Sequence, residues 1–282
     1  YMLSRFMTRA RVCALGIPER LAWEALLESM RRDEGGRQAA LDAFYHDEQD
    51  CLMSHFDRLF GTQQFIFDVR DVHKHCEILD MLDAVDMATI DHHMDMLGWV
   101  YEQHLQTGSG AARDLGQFFT DRAICDYMTG LCAPGFRSEG VPETVCDPTM
   151  GTGGFLTSYI KYFARQHADA PVDWAAQQQQ LNGCDSDVKV SSVARMNLFM
   201  EMGGRCPDNL KTRDSLYADL PHESYDVILA NMPFGTKGIK HASCCERVRE
   251  LRIQGAKSEP LFLQLMMVAL APQGRCAVVV PE

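Results

Sequence analysis

Tyr225-Asp226-Val227-Ile228-Leu229-Ala230-Asn231-Met232-Pro233-Phe234 is a largely apolar run that stops at a proline-stiffened break. Such a run reads as a buried parallel strand, and the residues after it project from the strand's carboxyl end. In open α/β sheets that edge is where ligands bind. The four residues after Ala230 carry an amide that donates and accepts hydrogen bonds, a ring that stacks, and a proline that limits the backbone between them. Those are the parts needed to grip a flat heterocycle bearing an exocyclic amine. A plain strand-to-loop turn, with Asn231 capping and Phe234 packing, uses the same four residues, so the rest of the chain has to decide.

Outward from this strand the pattern alternates between β and α. Thr144-Val145-Cys146 runs into Asp147-Pro148-Thr149-Met150-Gly151-Thr152-Gly153-Gly154, and a helix is expected over 155–166. Glycines at a strand-to-helix turn let the backbone approach a ligand closely. Residues 181–185 form a second expected strand, ending in Asp185, an acid able to accept both hydroxyls of a ribose. A helix over 188–202 follows, closed by Gly203-Gly204. Residues 210–214 make a third short strand that ends in Asp214, with Ser215 next. Ser258 is expected to cap a helix reaching Leu270, and 276–280 make a fifth strand. Upstream, Gly116-Gln117-Phe118-Phe119-Thr120 leads into a helix over 121–131 with Thr120 as its N-cap. Phe118 and Phe119 read either as core residues or as a wall for an aromatic ligand.

Alternating β and α predicts a mostly parallel, doubly wound sheet, here a catalytic domain over residues 111–282. Residues 1–110 read as a helical domain. Pro18, Leu21, Trp23, Leu26, Leu27 and Met30 mark one amphipathic helix, which Gly35-Gly36 is expected to stop. A second helix is expected over 41–60, another over 75–88 and a further one carrying Met94 to Leu105. Gly108-Ser109-Gly110 is a flexible junction.

The 282 residues are 46% hydrophobic and 23% charged, an ordinary globular profile. The longest apolar stretches are too short to cross a bilayer and the first residues lack a signal-peptide pattern, so a soluble cytoplasmic protein is expected. Eleven cysteines without a Cys-x-x-Cys pair fit reduced thiols. His73, His75, His92 and His93 carry no paired ligand motif; they read as solvated surface, and no metal is expected. The net charge of −12 argues against a stand-alone DNA binder. Yet Lys237, Lys240, His241, Arg247, Arg249, Arg252 and Lys257 crowd the segment after Phe234, opposed by Glu246 and Glu250. That segment suits nucleic acid, or is a charged solvated loop.

The glycine turn, Asp-Pro-x-x-Gly-x-Gly-Gly, is not the Gly-x-Gly-x-x-Gly fingerprint of dinucleotide sites. An acid at its start repels a pyrophosphate but pairs with the ammonium of an amino acid. S-adenosylmethionine carries such an ammonium and no phosphate. In order and context, residues 116–120, 147–155, Asp185, Asp214 and Asn231 to Phe234 resemble the amino-group DNA methyltransferases of the adenine-N6 class. More closely, the chain resembles the modification subunit of type I restriction-modification systems. Met96-Leu97-Gly98-Trp99-Val100-Tyr101-Glu102 looks like that family's junction between helical and catalytic domains, and the likeness runs from about residue 75 to 282.

The resemblance implies a Rossmann-like S-adenosylmethionine-dependent methyltransferase sheet preceded by an α-helical N-terminal domain. Gln117, Phe118, Phe119 and Thr120, with Pro148, Gly151, Thr152, Gly153, Gly154 and Phe155, would enclose the methionine part of the cofactor, with Asp147 near its ammonium. Asp185 would hold the ribose, and Asp214 with Ser215 the cofactor's adenine. Asn231 and the Met232 carbonyl would accept from N6 of the target adenine, Pro233 would stiffen the loop, and Phe234 would stack on the flipped base. Implied partners are double-stranded DNA, a separate specificity subunit and a restriction subunit.

Three departures stand out. Met232 replaces the first proline of the usual Asn-Pro-Pro-Phe, which is expected to loosen the loop; Asp121 replaces a usual proline; and the chain stops at Glu282 where the family's sheet continues, as expected of a fragment or truncated product. RNA adenines or protein glutamines as substrates, and a non-catalytic scaffold, are the competing readings.

Overall fold

Among the described residues, seven strands organise the second of the chain's two units, Tyr1–Met94 and Asp95–Glu282. The computed structural model describes residues 5–43, 60, 71–85, 98, 120–218, 220–236 and 238–281. In the second unit β3 (Val145–Asp147), β4 (Leu181–Asp185), β5 (Leu210–Thr212), β6 (Tyr225–Asn231) and β7 (Leu270–Val279) form one sheet in the order β5-β4-β3-β6-β7. All four neighbouring pairs are parallel. The chain winds one way from β3 to β5 and the other way from β6 to β7. The reversal between β3 and β6 is the point where such sheets open a crevice at their carboxyl ends.

Period-two alternation sends the strands' side chains into two cores. Val227 and Leu229 of β6 join Val145, Leu181 and Leu210 on one face, under α5 (Arg122–Cys132), α6 (Gly154–Gln166) and α7 (Val188–Glu201). Ile228 and Ala230 join Cys146 and Cys184 on the other, under α8 (Glu246–Arg249) and α9 (Ser258–Ala269). Val227 to Ala230 are wholly buried. That explains the unbroken apolar run, because a strand covered on both faces has no solvent side to alternate with.

Several expectations need correction. A short hairpin of β1 (Phe136–Ser138) and β2 (Val141–Pro142) precedes the sheet and was not anticipated. β7 begins at Leu270, directly after α9, but its register jumps from Tyr225↔Leu270 to Val227↔Arg275. The extra residues turn at Gln273, which has φ 68°. A Cβ on Gly274 would lie 2.9 Å from the Ala271 carbonyl oxygen, so glycine is required where the bulge folds back on itself. Thr120 does not cap α5: the N-cap is Asp121, whose carboxylate accepts from the Ala123 N–H. Nor does Ser258 cap α9, because the N-cap there is Lys257, without a side-chain hydrogen bond.

The first unit is helical among its described residues, with α1 (Arg9–Ala14), α2 (Trp23–Met30), α3 (Glu34–Ala43) and α4 (Val72–Asp83). Val12, Leu21, Trp23, Leu26, Leu41 and Leu79 are buried, and the Trp23 indole N–H donates to Asp83 at 3.1 Å. The helix expected from Pro18 onward is interrupted. Glu19–Leu21 is one 3-10 turn, Ala22 is extended, and α2 starts at Trp23. Gly35-Gly36 does not stop a helix but lies in the first turn of α3, where Asp33 accepts from the Gly36 N–H at 2.7 Å. α4 starts at Val72, capped by Asp71, and His75 on it is buried, not solvated. His92, His93 and the junction around residue 110 lie outside the described residues.

Candidate active site

Three loops leave the carboxyl ends of β3, β4 and β6 and converge. Asp147 is the last residue of β3, 1% exposed, and its carboxylate accepts from the Thr149 N–H at 3.0 Å. The turn after it needs glycine at two places, Gly151 (φ 54°) and Gly153 (φ 86°), both in the left-handed region. The turn is clasped to the next strand. Gly151 N–H donates to Asp185 Oδ2 at 3.0 Å, and Met150 N–H donates to the Cys184 carbonyl at 2.8 Å. Asp185 therefore ends β4 as a structural acceptor as well as a wall of the cleft, its other oxygen taking the Asp187 N–H at 2.8 Å. Ser215, fully buried, donates its hydroxyl to the Pro148 carbonyl at 2.7 Å, and Asp214 accepts from the Leu216 N–H.

These loops enclose a cleft of about 330 Å³ lined by Pro148, Gly151, Asp185, Asp214, Ser215, Asn231, Met232 and Pro233 among others. A smaller recess of about 30 Å³ lies between Thr120, Asp147, Thr152, Gly154, Phe155 and Asn231. Asn231 borders both, so the amide stands between the β3 turn and the main cleft. Its Nδ2 donates to the Thr120 hydroxyl at 3.0 Å. Phe155 also belongs to the core under α6, and Thr152 is buried.

Phe234 lies differently. It is half-buried against the core around Met232 and Phe262 and lines neither cavity. Gly153 lines neither as well. Gln117, Phe118 and Phe119 lie outside the described residues.

Two side chains that the sequence reading passed over hold this edge together. Arg122 donates to the Thr120 carbonyl and the Thr152 hydroxyl, and a Cβ on Gly154 would lie 2.5 Å from its Nη1. A side chain at the third glycine of the turn would have to displace that guanidinium. Asn197 of α7 donates to the Thr152 carbonyl at 2.8 Å. Neither residue belongs to a sequence motif, so only the fold reveals them.

Burial governs the electrostatics. It pushes the Asp147 carboxyl up to about 8, with Asp185 nearby adding to the rise and the Thr149 hydrogen bonds opposing it. Asp185 is pushed up to about 6, again chiefly by burial. Among the described residues no Lys, Arg or His forms an ion pair with Asp147. A buried carboxyl without a cation is the complement of an ammonium group brought by a ligand. Asp185 and Asp214 line the same cleft, where carboxylates suit hydroxyl and amine donors and disfavour phosphate. The donor set therefore fits an amino-acid-bearing nucleoside. Among the described residues no cluster of His, Cys, Asp and Glu suits a metal ion, and no helix is long and apolar enough to cross a membrane.

The chain is similar to known methylase subunits. The methylase subunit of the type I restriction enzyme EcoEI of Escherichia coli is 26% identical over 279 residues, covering 94% of this chain and 54% of that protein. The StySPI methylase subunit of Salmonella potsdam is 28% identical over 220 residues, covering 73% and 39%. The chain thus spans about half or less of the length of these relatives. The structure of the type I restriction-modification methyltransferase subunit from Streptococcus thermophilus superposes with a TM-score of 0.56 over 99% of this chain and 66% of that one. At 18% identity that likeness shows a shared fold. Residues 92–282 match the N-6 DNA Methylase family, and the chain belongs to that family.

Proposed function

We propose that this chain is the catalytic part of an S-adenosylmethionine-dependent DNA adenine-N6 methyltransferase, the modification subunit of a restriction-modification system. One observation carries the reading: the buried Asp147 carboxyl and Asn231, which opens an Asn-x-Pro-Phe loop, line one recess at the switch point of the sheet. When bound, S-adenosylmethionine supplies an electrophilic methyl group. Asp147 would hold its ammonium, Asp185 its ribose, and Asp214 with Ser215 its adenine.

On the target side, Asn231 and the Met232 carbonyl accept the two hydrogens of N6. Holding both draws the nitrogen lone pair out of conjugation with the ring and toward the methyl group, so the chain acts by positioning and electrostatics. No covalent nucleophile is required. Phe234 is the ring assigned to stack on the extruded base. Double-stranded DNA is the substrate, a separate subunit supplies sequence choice, a restriction subunit completes the assembly, and the setting is the cytoplasm. Calorimetric titration with S-adenosylmethionine tests the cofactor half of the reading. Absence of binding to the folded protein would sink it.

The basic segment supports DNA over smaller substrates. Lys240, Arg249, Arg252 and Lys257 are exposed, and Thr236, Gly238 and Ile239 at its start line the cleft. A duplex whose base enters that cleft brings its phosphates to these cations. Replacing Arg249, Arg252 and Lys257 by alanine is expected to weaken DNA binding and to reduce the slope of log affinity against log salt by up to about 3. Cofactor affinity should not change. Fluorescence anisotropy of a labelled duplex over a salt series reads both.

A further inference from the structure

Outside the sheet, and among the described residues, four hydrogen bonds tie the backbone of residues 231–236 to the fold. The Thr149 hydroxyl donates to the Asn231 carbonyl at 3.3 Å and the Ser258 hydroxyl to the Pro233 carbonyl at 2.9 Å. The Gly235 N–H donates to Glu259 Oε1 at 2.8 Å, and the Ser258 N–H to the Thr236 carbonyl at 3.3 Å. Three of these four ties come from the first two residues of α9. Serine at a helix start ordinarily caps the helix. Here Lys257 occupies the N-cap position, and the hydroxyl of Ser258, 1% exposed and lining the cleft, has the Pro233 carbonyl at 2.9 Å as its nearer acceptor and Glu259 Oε2 at 3.1 Å as its second.

The pattern of ties singles out one peptide. The carbonyls of Asn231 and Pro233 each lie within hydrogen-bonding distance of a hydroxyl, whereas the Met232 carbonyl between them accepts no hydrogen bond from a described residue. Met232 also lacks the ring that would restrict its backbone, and a residue other than proline has more conformational freedom to lose. Its side chain is 1% exposed in the core beside α9, so core packing and the α9 ties supply the restraint that a proline would give.

We propose that Ser258 and Glu259 are positioning residues for methyl transfer, fixing loop 231–236 so that the Met232 carbonyl, flanked by two carbonyls within reach of hydroxyls, is the acceptor presented to the amine of the target base. This rests on the adenine-N6 reading above. The test uses the full-length protein with the subunits that co-purify with it, on unmethylated DNA carrying its site. Single-turnover transfer at saturating cofactor is expected to slow on the order of 10- to 100-fold in Ser258→Ala and in Glu259→Ala. Glu259→Gln, which keeps an acceptor for the Gly235 N–H, should return the rate toward wild type. Cofactor affinity should hold, and amide hydrogen exchange across 231–236 should quicken in both alanine variants. Unchanged transfer rates, or unchanged exchange in the loop, would overturn the proposal. If the wild type transfers no methyl group to adenine, the functional reading falls and the catalytic role of Ser258 and Glu259 falls with it. Exchange then still decides whether the two residues hold the loop.

Discussion

Asn231→Ala should abolish most methyl transfer while leaving the cofactor site intact. The side chain lies at the end of β6, bordering both the main cleft and the recess beside Asp147, and its Nδ2 is engaged by the Thr120 hydroxyl. The adenine-N6 reading assigns the carbonyl end of the same amide to the exocyclic amine. Removing it strips one of two acceptors from the reacting nitrogen. The loss compares with removal of one preorganised hydrogen-bond partner from an enzyme site, about 10²- to 10³-fold in rate. Asp147, Asp185 and Asp214 are untouched, so S-adenosylmethionine affinity should stay within about twofold, separating a transfer defect from a binding defect. Asn231→Asp keeps an acceptor and should transfer faster than the alanine variant. Single-turnover transfer of a labelled methyl group, beside calorimetry, measures both quantities. Equal loss in the two variants would mean that the residue holds the loop and does not touch the amine.

The sheet was legible because its causes are local. β6 announces itself by an apolar run buried on both faces, and the glycines at 151 and 153 by φ values that only glycine adopts readily. The acids ending β3 and β4 were readable from their place after short strands. The hydroxyls were harder to read. Thr120 and Ser258 each precede or begin a helix, so a capping role was the natural reading, yet both serve loop 231–236. Their partners lie 111 and 25 residues away along the chain, and helix-cap logic sees only the next turn. Arg122 and Asn197 were invisible for the same reason: their hydrogen bonds to Thr152 span 30 and 45 residues. Phe234 fits its assigned stacking role least directly, because hydrophobic burial beside Met232 competes for the same ring.

Asp147→Asn should make the ligand-free protein more stable at pH 8 and cost it the cofactor. Burial raises the folded-state carboxyl to about 8, whereas its ordinary value is 3.8. Such a group keeps its proton longer in the folded chain than in the unfolded one. Its contribution is therefore fully present below about pH 4 and is lost progressively as pH rises toward 8, at most about 1.4 kcal/mol per pH unit. Asp185, raised to about 6, acts in the same direction over the lower half of that window. Asparagine has no charge to bury and keeps the oxygen that accepts from Thr149. Thermal melts of the variant should therefore exceed wild type at pH 8 and converge with it toward about pH 4. Cofactor affinity should fall about 10²- to 10³-fold, the usual result of deleting one partner of a buried charge pair. The same geometry predicts that S-adenosylmethionine, by placing an ammonium beside Asp147, drives off its proton near pH 7. Calorimetry in buffers of different ionisation enthalpy should then show proton release of up to about one equivalent in the wild type. Any weak binding retained by Asp147→Asn should lack that release. Wild-type binding without proton release would place the ammonium elsewhere and remove Asp147 from the cofactor site.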